Sequence, residues 1–107
     1  MLSAVIIARN EADRIGDAIR SVAFAQEVVV LDSGSEDGTV ELAKSLGARV
    51  IVTDWPGFVA QKQRAWEEAR GEWVLSLDAD ERVSPALRTE ILSVLPKSTA
   101  DGYSLPR

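Results

Sequence analysis

Three carboxylates fall within four consecutive positions at Asp78-Ala79-Asp80-Glu81, directly after the apolar run Trp73 to Leu77. Carboxylates at the end of a buried strand cost folding energy unless something answers their charge. Two aspartates one residue apart, offering only oxygen ligands, suit a hard divalent cation. Mg²⁺ or Mn²⁺ on Asp78 and Asp80 would complete its shell with the phosphate oxygens of a substrate. The same residues also fit a solvated turn, with Ser84 as N-cap and Pro85 as the first residue of the next helix. The motif alone does not choose between a metal–diphosphate site and a turn. The elements around it bear on that choice.

Leu2 to Ala8 (LSAVIIA) reads as a central strand ending in Arg9-Asn10-Glu11, with Asn10 as N-cap and Asp13 as its reciprocal partner. Ala12, Ile15, Ala18, Ile19 and Val22 recur at helical spacing, so residues 11–22 form an amphipathic helix. Glu27 to Leu31 is a second buried strand, delivering the loop Asp32-Ser33-Gly34-Ser35-Glu36-Asp37-Gly38-Thr39. A helix over about 38–46 follows and Gly47 closes it as a C′ residue. A strand at 49–53 leads to the turn Asp54-Trp55-Pro56-Gly57, and a helix at 58–70 carries Lys62, Arg64, Trp66 and Arg70, with Gly71 ending it. The aspartate strand comes next, then a helix from Pro85 to Leu95 and a tail, Asp101–Arg107, that begins a further strand.

This alternation implies a parallel sheet covered by helices, an α/β architecture. Ligands of such sheets sit beyond the carboxyl ends of the strands, where the strand order reverses. Arg9-Asn10-Glu11, Asp32-Ser33, Asp54 and Asp78–Glu81 all fall at those ends, whereas the amino ends carry little beyond Glu27, Arg49 and Glu72. A strand order 3-2-1-4 places the Asn10 loop beside the aspartates, making one composite site.

Composition narrows the class. The chain's 107 residues suffice for a single domain, 1–107, and 46% hydrophobic with 27% charged residues is ordinary globular composition. A net charge of −5 leaves no basic stripe for nucleic acid. With no Cys and no His, zinc sites, thiol nucleophiles and imidazole bases are excluded, so acid–base work falls to carboxylates. No apolar run approaches the ~18–20 residues of a membrane span, which makes the cytoplasm the expected compartment.

The opening strand with ARNE, the DSGSEDGT loop after strand two, a Gly-containing segment with basic residues, and LDADE after strand four resemble the nucleotide-binding half of a family-two, GT-A-fold glycosyltransferase. WPGFVAQKQRA with WVLSLDADERV is most similar to bacterial glucosyltransferases of lipopolysaccharide-core assembly. The resemblance runs from about Leu2 to Arg107. It implies a Rossmann-like domain that binds a UDP-sugar donor through Mg²⁺ or Mn²⁺ and transfers the sugar, with inversion, to a glycan or glycolipid acceptor. Attachment at the inner membrane face would be peripheral.

The resemblance also implies residue roles. Ala8, Arg9, Asn10 and Glu11 line the nucleoside pocket. Asp32 accepts the uracil N3–H, giving preference for UDP over CDP, and Ser33 stands where a second aspartate is commoner. Lys62 balances charge near the diphosphate. Asp78, Ala79 and Asp80 form the metal and ribose-diphosphate motif. Trp55 and Trp66 are packing residues. Asp32 as a simple Asx turn, and Lys62 as a solvated helix residue, remain open alternatives. Whole enzymes of this type are roughly twice as long, so the catalytic base is expected beyond Arg107. Glu81 is too close to the metal motif to replace it. A domain without its acceptor half would expose apolar surface and self-associate.

Other classes fit less well. A phosphatase of the haloacid dehalogenase type wants Thr or Val where Arg82 stands. A receiver domain wants an acidic pair where Arg9-Asn10-Glu11 stands, and no Gly-x-Gly-x-x-Gly follows the first strand. A non-catalytic nucleotide-sugar-binding or interaction module of the same fold is the main rival.

Overall fold

The structure is a computed structural model that describes residues 1–54 and 57–94. β1 (Leu2–Ala8), β2 (Glu27–Asp32), β3 (Arg49–Val52) and β4 (Trp73–Asp78) form one parallel sheet in the order β3-β2-β1-β4. Between and after them run α1 (Ala12–Ser21), α2 (Thr39–Ser45), α3 (Phe58–Glu68) and α4 (Pro85–Val94). The elements expected from hydrophobic periodicity are all present, with ends moved by one or two residues. The expected turn at Trp55-Pro56 and the tail strand at Asp101–Arg107 lie outside the described residues.

All seven residues of β1 are buried, because helices cover both faces of the sheet. Alternation divides them. Leu2, Ala4, Ile6 and Ala8 enter one core with Ile15 and Ile19 of α1, Ala43 of α2 and Ile91 of α4. Val5 and Ile7 enter the other with Val29, Leu31, Val74 and Ala65 of α3. Burying one such aliphatic side chain fully contributes about 1.5–3 kcal/mol. A seven-residue helix such as α2 is unstable by itself, so its packing through Thr39 and Ala43 holds it in place.

Register aligns the carboxyl ends of the strands. Ala8 lies opposite Asp32, Ile7 opposite Asp78, and Asp32 opposite Val52. The chain winds outward from β1 through β2 to β3, then returns through α3 to place β4 on the other side of β1. The switch point therefore lies between β1 and β4, and the loops after those strands meet there.

The amino end of the sheet is stitched by Glu27. Its Oε1 accepts hydrogen bonds from the Ser3 hydroxyl (2.8 Å) and the Arg70 backbone N–H (2.9 Å), while Arg49 stands 3.4 Å from Oε2. Burial pushes the Glu27 carboxyl up, but these two hydrogen bonds and the Arg49 and Arg70 charges outweigh it and hold the group below its usual range. Gly71 belongs to the same corner, and its expected role as the stop of α3 is corrected. The helix ends at Glu68, and Ala69 is already extended. A Cβ on Gly71 would sit 2.6 Å from the Met1 carbonyl oxygen, so this residue permits close passage of the chain against β1.

Candidate functional site

A cleft of about 380 Å³ opens at the switch point, lined by Ile7, Ala8, Arg9, Glu11, Ser33, Asp78, Ala79 and Asp80. Strand β4 delivers the aspartates. Ala79 is buried, and its N–H donates to the Ile7 carbonyl at 3.0 Å, extending the parallel ladder between Asp78 and Asp80. Beyond it the Glu81 N–H donates to the Asp78 carbonyl (2.9 Å), and the Glu81 carboxylate accepts the Asp78 N–H (2.7 Å). Val83 docks the end of the turn onto α1, donating its N–H to Ser21 Oγ at 2.9 Å. The turn then passes into α4, where Ser84 Oγ accepts the Leu87 N–H and Pro85 is the first helical residue, as expected.

The two loops on the other side of the cleft are bonded to each other. Asn10 does not cap α1: its φ of 52° puts it in the left-handed region, and no side chain from that position caps the helix. Instead Asn10 Oδ1 accepts the Glu36 N–H (2.8 Å), and Ser35 Oγ accepts the Asn10 N–H (2.8 Å). Asparagine tolerates this backbone better than most side chains. Capping of α1 comes from the second loop, where Thr39 Oγ1 accepts the Glu11 N–H (2.9 Å) and Asp37 Oδ2 accepts the Ala12 N–H (3.1 Å). Neither Asn10 nor the expected Asp13 partner takes part in the cap.

Asp32 requires the larger correction. Its side chain is fully enclosed, Oδ2 accepts the Gly34 and Ser35 N–H groups at 3.0 and 2.7 Å, and Oδ1 accepts the Ser35 hydroxyl. A carboxylate so occupied shapes its own loop and does not line the cleft, so the uracil contact expected of it is not available in this geometry. The neighbouring Ser33 lines the cleft, with its N–H on the Ala8 carbonyl at 3.1 Å.

Lys62, on α3, is outside the cleft lining but its Nζ stands 3.9 Å from Asp78 Oδ1. That oxygen is buried and has no hydrogen-bond partner. Burial raises the Asp78 carboxyl above its ordinary range; Lys62 opposes the rise, and Glu81 and Asp80 add to it. A buried acceptor without a hydrogen-bond donor is costly, and a cation on Asp78 and Asp80 would answer it. Among the described residues no three Asp or Glu side chains converge as a metal-binding set. The two aspartates therefore fit a cation whose other ligands are phosphate or water oxygens.

A larger hollow of about 430 Å³ lies between α1 and α4, bordered by Arg20, Phe24, Val83 and Arg88. It contains no carboxylate and lies away from the strand ends, so it is not the site the sequence motifs build. Ile7 was missed as part of the cleft lining, and Glu81, named with the strand-end carboxylates, was given no role. Ile7 carried no signal apart from its place in an apolar strand, whereas Glu81 could have been found as the acceptor closing a three-residue turn. Trp66 packs, as expected, against the β-sheet core on the α3 side.

Four parallel strands in this order, with an Asp-x-Asp turn at the switch point, define the GT-A class of α/β domain. The family described as Glycosyl transferase family 2 matches residues 3–107. The chain belongs to that family. It is 47% identical over 103 residues to an uncharacterized glycosyltransferase of Rickettsia bellii, covering 95% of this chain and 35% of that protein. To the lipopolysaccharide core biosynthesis glycosyltransferase LpsC of Rhizobium meliloti it is 39% identical, covering 91% of this chain and 38% of that one. Among solved structures, glucosyl-3-phosphoglycerate synthase of Mycobacterium tuberculosis in complex with UDP superposes with a TM-score of 0.76 at 28% identity, over 92% of this chain and 40% of that one. The same enzyme with Mn²⁺, UDP and glucosyl-3-phosphoglycerate gives a TM-score of 0.66 at 30% identity, over 74% and 33% of the two chains. The chain thus spans little more than a third of the curated relatives it matches.

Proposed function

We propose that the cleft binds the nucleoside diphosphate of a UDP-sugar, and that the protein serves hexosyl transfer, with inversion, to a glycan or lipopolysaccharide-core acceptor. The observation that carries this reading is the cleft at the switch point lined by both Asp78 and Asp80, with Asp78 Oδ1 buried and without a hydrogen-bond partner. Asp78 and Asp80 would hold a cation, Mg²⁺ or Mn²⁺, which would supply charge neutralisation at the diphosphate. Lys62 offsets the Asp78 charge from the α3 side. Arg9 and Ser33 lie on the cleft wall, a guanidinium suited to phosphate and a hydroxyl able to donate or accept toward the base. The UDP and Mn²⁺ of the mycobacterial enzyme support the donor and cation, and the naming of LpsC supports the acceptor class.

Titration calorimetry of UDP with and without Mn²⁺ tests the reading. UDP should bind the wild-type protein more tightly with Mn²⁺, and Asp80→Ala should abolish that gain. Equal affinities with and without the metal would refute the site.

A further inference from the structure

Glu81 is the one carboxylate of the Asp78–Glu81 turn that neither lines the cleft nor enters the role given to Asp78 and Asp80. Its contacts are nonetheless specific. Two hydrogen bonds of opposite sense join it to Asp78: the Glu81 carboxylate accepts the Asp78 N–H at 2.7 Å, and the Glu81 N–H donates to the Asp78 carbonyl at 2.9 Å. We infer that Glu81 is the positioning residue of the cation site, its carboxylate holding the turn in the shape that aims Asp78 and Asp80 at one bound cation. The inference rests on the donor-site reading above.

The position of the bond explains why a side chain is needed there. The Ala79 N–H points to β1 and donates to Ile7. By the alternation of a strand, the Asp78 N–H points the other way, off the sheet edge formed by β4. Among the described residues no strand pairs with that edge, and Glu81 Oε1 takes the place a strand carbonyl would occupy. Downstream, Val83 is buried and tied to Ser21, so both ends of the turn are anchored. Asp80, between these anchors, is exposed and takes no part in the turn's hydrogen bonds. Its direction therefore depends on the path of the backbone, which the Glu81 bond closes. A carboxylate drawn back onto its own strand is also turned from the cleft, which distinguishes a positioning residue from a third ligand or a base.

Two variants and two measurements test this. Glu81→Ala removes the acceptor, whereas Glu81→Gln removes the charge but retains an acceptor oxygen on a side chain of equal length. The first measurement is hydrogen exchange of the Asp78 amide without metal, which should be slow in wild type and Glu81→Gln and fast in Glu81→Ala. The second is the ratio of UDP affinities with and without Mn²⁺. It should fall up to roughly tenfold in Glu81→Ala, the scale of one neutral hydrogen bond, and stay within about twofold of wild type in Glu81→Gln. A general loss of structure would weaken UDP binding in both conditions and leave the ratio unmoved. An unchanged ratio in Glu81→Ala overturns the inference, as does a freely exchanging Asp78 amide in wild type. A Glu81→Gln ratio as low as that of Glu81→Ala also overturns it, because Glu81 would then act through its charge at the metal. If wild type shows a protected Asp78 amide but no Mn²⁺-dependent UDP binding, the donor-site reading fails and this inference falls with it.

Discussion

Asp37, in the loop after β2, caps helix α1 from outside by accepting the Ala12 N–H at 3.1 Å. The residues are 25 positions apart, and the bond crosses from the second strand's loop to the first strand's helix. With the Thr39–Glu11 and Asn10–Glu36 bonds it makes the two loops a single unit at the cleft wall. The start of α1 is thereby held by residues of the DSGSEDGT loop.

Acid should loosen both ends of the sheet. At Asp37 the Thr39 hydroxyl bond is the largest influence; with the backbone N–H bonds it holds the carboxyl below its ordinary range, against a smaller upward push from burial. Glu27 is lowered too. A depressed folded value means the stabilisation is fully present above the unfolded value, about 3.9 for Asp and 4.3 for Glu, and is lost as pH falls through the folded one. Glu27→Gln should therefore melt several degrees below wild type at neutral pH, with the gap closing on acidification below about pH 4. Thermal unfolding followed by circular dichroism from pH 7 to pH 3 checks this, and a gap independent of pH would refute it.

Asp32→Ala should act on stability before specificity. It removes an enclosed acceptor serving the Gly34 and Ser35 N–H groups, which at about 1–3 kcal/mol for an unsatisfied buried group is a substantial loss for a domain of this size. UDP and CDP affinities should fall together. Ser33→Ala, by contrast, should change the ratio of the two affinities and leave the melting temperature nearly unaltered. A selective loss of UDP preference in Asp32→Ala, without a drop in melting temperature, would restore the base-reading role to Asp32.

Gly71→Ala should destabilise the fold although Gly71 is not in a left-handed conformation. Its Cβ would meet the Met1 carbonyl oxygen at 2.6 Å and Ser3 Oγ at 2.7 Å. Backbone must shift to admit it, at a cost of about 1–3 kcal/mol. Chemical denaturation should show a lower midpoint with an unchanged slope. An unaltered midpoint would mean that the corner at Ser3 and Glu27 is more adaptable than its hydrogen bonds suggest.

Self-association remains an expected property. The outer edge of β4 has no strand partner among the described residues, and Leu87 and Leu92 of α4 are 40% and 39% exposed. Unpaired edges and apolar helix faces both favour association. Light scattering should show mass rising with concentration, and Leu87→Lys with Leu92→Lys should reduce it. A concentration-independent monomer would count against the idea.

Much of this architecture was legible because it is written in local periodicity. Apolar runs such as LSAVIIA and EVVVLD, separated by helical spacing, specify buried parallel strands and crossover helices, since burial on two faces demands that pattern. Polar residues placed just after each run mark the carboxyl end of the sheet, and of these Arg9, Glu11, Ser33, Asp78 and Asp80 line one cleft; Ala8 and Ala79, which line it too, were implied only by the family resemblance. What tertiary structure alone decided was the direction of individual oxygens. Whether Asp32 or Ser33 faces the cleft, whether Asn10 or Asp37 caps α1, and why Gly71 is glycine all depend on partners distant in sequence or on loop dihedrals. Propensity cannot supply those choices, because Asn and Asp are equally good caps and equally good turn formers. The choice falls to whichever donor the packed sheet brings within hydrogen-bond reach.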